Sequence, residues 1–118
     1  MLAMRPYKHP AASDAVLERV LYALSDSIRL DIVRHLAQTG PATCGELDGG
    51  RPKSTVSHHF KVLRESGLVR TEGVGTTHMN TLRRADIESR FPGLLAAILA
   101  QPAAGPVAEK EGAVLITY

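Results

Sequence analysis

The sequence predicts a mostly helical chain with one small β-hairpin, and three observations carry that prediction. Apolar residues recur at helical spacing along most of the chain. The spacing changes to alternation only between Leu68 and Leu82. Gly and Pro punctuate the pattern at Gly40-Pro41, Gly49-Gly50 and Gly67. The predicted order is four helices, two strands and a last helix. At 118 residues, with 44% hydrophobic residues, the chain makes one small domain with a genuine core. Aromatics are 4% and Trp is absent, so Leu, Val, Ile and Ala must fill that core.

Residues 1–12 contain two prolines and no periodicity, and read as a flexible arm. Ser13-Asp14 is a helix-start signal, followed by Val16, Leu17, Val20, Leu21 and Leu24 as a wide apolar stripe, so the first helix is expected from about Asp14 to Leu24. Ser25-Asp26-Ser27 ends it and caps a second, from about Ile28 to Gln38, with Ile28, Ile32, Val33, Leu36 and Ala37 inward. Gly40-Pro41 stops this helix. Thr43 and Glu46 have capping-box spacing, so a very short third helix begins there and ends at Gly49-Gly50. Pro52 opens the fourth, from about Lys53 to Ser66, with Gly67 as the natural C′ residue.

Residues 68–72 form a short extended segment, Gly73-Val74-Gly75 supplies a turn, and Thr76 to Leu82 alternates and is rich in β-branched residues. Arg83 to Arg90 then leads through Phe91-Pro92-Gly93 into a last helix with Leu94, Leu95, Ile98 and Leu99 as its stripe. Residues 102–118 read as a flexible tail, rich in Pro, Gly and Ala, that closes on the apolar run AVLITY. A short helix, a tight turn and a second helix, followed by a hairpin, make a winged helix-turn-helix over residues 13–101.

The fourth helix carries the chemistry. Phe60 and Leu63 lie within about 40° of Val56 on a helical projection, so the three face inward. Ser54, His58, Lys61 and Glu65 lie opposite, with Thr55 and Ser57 flanking. Hydroxyls, imidazoles and lysine suit contact with phosphates and base edges in a major groove. Ser54, Thr55, Ser57 and His58 are therefore candidates for base or phosphate contact. Lys61, Arg64 and Arg70 are candidates for phosphates, and Lys53 for an anion at the helix N-terminus. His59 falls about 60° from Val56, on the core margin, and reads as structural or phosphate-contacting. Thr76, Thr77 and His78, with Arg70, sit on the hairpin within reach of backbone or minor groove. Charge is segregated to match. Residues 51–84 carry Arg51, Lys53, Lys61, Arg64, Arg70, Arg83 and Arg84 against Glu65 and Glu72, whereas both flanks are net acidic. The partner so implied is double-stranded DNA.

Other classes fare worse. No Gly-rich phosphate loop, paired-carboxylate cleft or supported Ser/His/Asp order is present, so the chain does not read as an enzyme. His58 and His59 are adjacent on a helix, about 100° apart, and cannot share a metal. No apolar run approaches the ~20 residues of a membrane span. The N-terminal segment lacks an apolar signal core and Cys44 is the only cysteine, so a cytoplasmic, reducing location is expected. A module that binds chiefly a partner regulatory protein is the alternative reading of the same fold.

The segments SDSIRLDIVRHLA, KSTVSHHFKVLRESGLVR and GTTHMNTLRRADIESRFPGLL, in this order, resemble the ArsR/SmtB family of winged-helix repressors. The resemblance implies a homodimer that represses from an operator near a promoter, paired through the first and last helices. On this chain those are the stripes Val16, Leu17, Val20, Leu21, Leu24 and Leu94, Leu95, Ile98, Leu99. Both are more apolar than a small lone domain needs, which agrees with a partner. Relatives that sense soft metals carry Cys-x-Cys before the third helix, where this chain has Cys44 alone. Others carry Asp-x-His and further His ligands on the last helix, where this chain has Asp86-x-Glu88. A divalent effector such as nickel or zinc then has only His9 and His35 as weak candidate ligands.

Overall fold

A computed structural model describes residues 7–103. A 3-10 turn at Ala12–Asp14 precedes α1 (Leu17–Leu24), α2 (Ser27–Thr39), β1 (Ala42–Thr43), α3 (Cys44–Leu47) and α4 (Lys53–Ser66). Strands β2 (Val69–Val74) and β3 (Thr77–Leu82) form the hairpin, and α5 (Arg84–Arg90) and α6 (Leu94–Leu99) close the described chain. None of these helices is long and apolar enough to cross a membrane. Residues 104–118, including AVLITY, and residues 1–6 lie outside the described range.

Local chemistry fixes most of the boundaries. The Asp26 carboxylate accepts from the Ile28 and Arg29 amides at 2.8 and 3.1 Å and starts α2. The capping box at α3 is complete, Thr43 N–H donating to Glu46 Oε1 at 2.7 Å and Glu46 N–H to Thr43 Oγ1 at 3.2 Å. At the end of α4 the chain needs a left-handed residue, and Gly67 supplies it with φ 90°. Its N–H bonds the Arg64 carbonyl and the Leu68 N–H bonds the Leu63 carbonyl, a Schellman closure that turns the chain straight into β2.

The core sits where α1, α2, α4 and the sheet meet. Val20, Ala23, Ile32, Val33, Leu36, Val56, Phe60, Leu63, Leu68, Val69, Ile87 and Leu95 are all buried there. The sheet is antiparallel with order β1-β3-β2, and Thr71 faces Asn80 across the hairpin.

Several elements depart from expectation. α1 starts at Leu17 rather than Asp14, and Ser13-Asp14 fall in the 3-10 turn. The reason is tertiary: Ala15 is buried and extended, and its carbonyl accepts from Arg90 Nε at 3.1 Å instead of serving a helix. The hairpin loop is the pair Gly75-Thr76, not Gly73-Val74-Gly75, because Gly73 and Val74 stay paired with His78 and Thr77. Gly75 has φ 63°, the positive angle a two-residue hairpin loop requires at its first position. A third strand, β1, pairs Ala42 and Thr43 with Asn80 and Met79. A further helix, α5, stands where only a lead-in is expected, and the expected last helix is α6, with Pro92 in the break between them. Glu88 accepts from the Gly93 and Ala96 amides and so organises that break.

The two expected pairing stripes also divide. Val20, Leu24 and Leu95 are buried in the chain's own core and offer nothing to a partner. Leu94, Ile98 and Leu99 are half-buried against that core. Val16, Leu17 and Leu21 are exposed, at 43, 41 and 44%, and Tyr22 joins them at 59%. The arm differs as well, since Tyr7 to Pro10 lie against α4 and the hairpin, as detailed below.

Candidate nucleic-acid interface

The side chains of α4 sort by burial as its periodicity requires. Val56, Phe60 and Leu63 are buried, while Lys53, Ser54, Thr55, Ser57, His58 and Lys61 are all exposed on the outer face. Glu65, the only acid on the helix, is confined to its last turn. The first turn has no side-chain cap, so its free amides add positive potential beside Lys53. Arg51, just ahead, is held by its own loop through Nη1 to the Asp48 carbonyl at 3.3 Å.

The hairpin stands next to this helix as a wing. Arg70, Thr76 and Thr77 are exposed and His78 is half-buried. The arm ties wing to helix: the Tyr7 hydroxyl meets His78 Nδ1 at 2.7 Å, and the Arg64 guanidinium lies 4.3 Å over the Tyr7 ring. Further along, the Thr71 amide donates to His9 Nε2 at 3.0 Å, and Arg83 Nη1 donates to the Pro10 carbonyl at 2.8 Å. Arg83 is thereby buried, with Nε on Asp86 at 3.0 Å, and drops out of the basic surface. Between α4, the start of α3, the wing and Tyr7 runs a cleft of about 290 Å³, lined by Lys53, Ser57, Phe60 and Cys44 among others.

His59 stands apart from the outer face. It is 7% exposed, and its Nδ1 lies 3.1 Å from Arg29 Nη1 and 3.9 Å from Asp26 Oδ1. Burial, with Arg29 nearby, pulls its pKa below the ordinary 6.5 against the attraction of Asp26. Burial also lowers that of His9, helped by Arg70, Arg83 and Arg64. Burial tends to raise the pKa of Asp26, yet the two amide bonds outweigh it and hold the carboxyl below its usual range.

The candidate metal ligands are not brought together. His9 Nε2 is occupied by the Thr71 amide, and His35 is exposed on α2. Among the described residues no three His, Cys, Asp or Glu side chains cluster as a metal site. Asp86 and Glu88 serve Arg83 and the α6 amides. Cys44 is half-buried, and its sulfur accepts from Asn80 Nδ2 at 3.3 Å.

Four side chains that organise the site escape sequence reasoning: Arg29, Tyr7, Asn80 and Arg83. Asn80 was the most detectable, because Asn is depleted in strands and one in the middle of an alternating run calls for a specific partner. Arg29 and Arg83 read simply as surface charge.

A short helix, a turn and an outward-facing second helix flanked by a β-wing define a winged helix-turn-helix DNA-binding protein. Comparison with known proteins agrees. A helix-turn-helix domain model matches residues 24–72. The chain is 37% identical over 87 residues to the HTH-type transcriptional regulator YceK of Bacillus subtilis, covering 71% of this chain and 87% of that protein. Among solved structures, an ArsR family transcriptional regulator superposes with TM-score 0.58 at 26% identity, over 71% of this chain and 88% of the other. The transcriptional repressor BigR from Xylella fastidiosa gives 0.52 at 30% identity, over 64 and 85%. HlyU from Vibrio cholerae gives 0.55 at 28%, over 61 and 79%. The chain belongs to the ArsR family of winged helix-turn-helix transcriptional regulators. It is a DNA-binding regulator and not an enzyme.

Proposed function

We propose that the protein is a homodimeric repressor that binds a pseudo-palindromic operator, with α4 of each copy in a major groove and the wing on the flanking backbone or minor groove. One observation carries this reading. The exposed face of α4 offers hydroxyls, an imidazole and lysines along its length, with its acid held to the last turn, and Arg70 continues the basic face onto the wing. The likeness to BigR, a transcriptional repressor, supports the sign of the regulation. Ser54, Thr55, Ser57 and His58 take base or phosphate contacts, and Lys53, Lys61 and Arg70 take phosphates. Arg64, on α4, takes a phosphate, Thr76, Thr77 and His78 take backbone contacts at the wing, and His59 is assigned to packing. Val16, just ahead of α1, and Leu17, Leu21 and Tyr22 on it, with Leu94, Ile98 and Leu99 of α6, form the pairing face.

Selection of duplexes from a random pool, followed by mobility-shift titration, tests this. An inverted repeat with half-site centres about 34 Å apart is expected, bound by a dimer. Failure to retain any duplex at low salt overturns the reading. The same titration with Ni²⁺, Zn²⁺, Cu⁺ or peroxide identifies an effector. A shift released by Ni²⁺ or Zn²⁺ would bring His9 and His35 back as ligands.

A further inference from the structure

Arg29 and His59 meet in the interior, between the helix offered for pairing and the helix offered for reading. α1 ends at Leu24; of the carbonyls in its last turn, that of Tyr22 accepts from the Ser25 N–H at 3.1 Å and the Ser25 hydroxyl at 2.6 Å, and the helix end leaves room for a further donor. Arg29 bonds two of these carbonyls, Nε donating to that of Ala23 at 2.8 Å and Nη2 to that of Tyr22 at 3.3 Å. Its guanidinium also lies 5.0 Å from the centre of the Tyr22 ring. The remaining arm, Nη1, reaches His59 Nδ1 on α4 at 3.1 Å. Arg29 itself is 5% exposed, so water does not substitute for these partners.

A guanidinium has donors only. Nδ1 must therefore present a lone pair, which makes His59 neutral with its proton on Nε2. A proton on Nδ1 would delete the bond and, with Nε2 also protonated, set two cations 3.1 Å apart. Asp26 Oδ1, 3.9 Å from Nδ1, is already engaged by the Ile28 and Arg29 amides and could answer that proton only if the ring moved. The other charged or titratable groups around the ring are cationic or neutral: Arg51 from the loop before α4, and His58, whose ring centre is 5.7 Å away.

We propose that Arg29 and His59 form the joint through which α1 sets the pose of α4, and that the joint holds only while His59 is neutral. His59 is then a positioning residue for DNA reading. Tyr22 lies on the exposed apolar face of α1, so ordering that face against a second copy steadies Arg29 and, through His59, the reading helix. The proposal rests on the assignment of α4 as the DNA reader.

The test uses the full chain and a labelled duplex recovered by the wild type from a random pool at pH 7.5. Three proteins are compared at pH 7.5 and 5.5: wild type, His59→Asn, which keeps an acceptor near Nδ1 but does not titrate, and His59→Leu, which has none. Imidazole ¹⁵N shifts should report the Nε2–H tautomer for His59 at pH 7.5. Wild-type affinity relative to His59→Asn should fall severalfold, up to about fivefold, between the two pH values, the effect at pH 5.5 of a difference of about one unit in pKa between the bound and free forms when both lie below 6.5. His59→Leu, with unchanged circular dichroism, should bind about tenfold or more weakly at pH 7.5. Identical pH profiles for wild type and His59→Asn, wild-type affinity in a folded His59→Leu, or the Nδ1–H tautomer each overturn the joint. If His59→Leu does not fold, the Asn comparison and the tautomer decide. If the wild type retains no duplex, the DNA reading falls instead. The joint is then judged by the tautomer and by amide exchange, which His59→Leu should accelerate along α4; unchanged exchange refutes it.

Discussion

Asn80 is fully buried in the middle of β3, and three elements depend on it. Thr71 Oγ1 donates to its Oδ1 at 2.7 Å, and its Nδ2 reaches the Ala42 carbonyl and the Cys44 sulfur, each at 3.3 Å. Asn80→Ala would leave the buried Thr71 hydroxyl without its acceptor, at about 1–3 kcal/mol for an unsatisfied group, and would remove the side-chain bond to the Ala42 carbonyl. Thr43→Ala, which removes an exposed cap, costs only about 1 kcal/mol. Thermal unfolding should therefore show the larger fall in Tm for Asn80→Ala; the reverse order would mean that β1 does not hang on this side chain. Titration sits at the same scale. His9 and His59 both have folded pKa values below 6.5, so each contributes stability that is complete above pH 6.5 and is lost as pH falls through its folded value. Asp26 and Glu46, both held below their ordinary values (Glu46 by its bonds to Thr43), act in the same direction at more acid pH, below about 4. Tm should fall in two steps on acidification. The upper step should shrink in the double variant His9→Gln, His59→Asn, which keeps both acceptors. A flat Tm from pH 7 to 5.5 in the wild type would show that neither histidine is held as a neutral acceptor. Helical projection placed His59 at the core margin, but the partner that makes it matter is 30 residues away in sequence. A lone arginine in a helix gives no sign of which carbonyls it will cap.

At the scale of elements, α4 was readable almost to the residue because every signal agreed: Pro52 before it, a three-residue apolar stripe, and Gly67 after it. α1 was misplaced because a good local cap, Ser13-Asp14, lost to a tertiary contact at Ala15. β1 was invisible because two residues carry no alternation, and their pairing with Asn80 and Met79 is long-range. α5 was missed because Arg83 to Arg90 read only as the lead-in to the last helix, when it is a short helix of its own whose Glu88 holds the amides of Gly93 and Ala96 across the break. The readability of α4 extends to its contacts. Lys61 is an exposed point charge. Lys61→Ala should weaken binding to selected and random duplexes alike and reduce the slope of log K against log salt by about 0.9. Ser57→Ala or His58→Ala should instead alter which sequences are recovered from a random pool. Equal losses on all sequences for these two would move them from base contact to phosphate contact.

For the whole molecule, the question is what covers α1. A small domain that has buried Val20, Leu24 and Leu95 in its own core still shows Val16, Leu17, Leu21 and Tyr22 to solvent on one helix and just ahead of it. The sequence stripe ran Val16, Leu17, Val20, Leu21 and Leu24 together and left out Tyr22, because periodicity gives a helix one apolar side and does not say how much of it the chain itself will use. Burial separates the two roles and makes them testable. Leu21→Glu changes a side chain that is 44% exposed and is not among the buried core residues, so the monomer should keep its circular dichroism. Leu95→Glu puts a charge at a position with 0% exposure and should unfold the chain. If α1 is the pairing face, Leu21→Glu should sediment as a monomer and lose about 10²–10⁴-fold in affinity for the inverted repeat, because the second half-site no longer binds as an intramolecular event. Its affinity for a single half-site should fall much less, and by an amount that depends on His59, since unpairing α1 relaxes Arg29. A dimeric Leu21→Glu with full affinity would place the pairing face elsewhere, with α6 and its half-buried Leu94, Ile98 and Leu99 next to be tested.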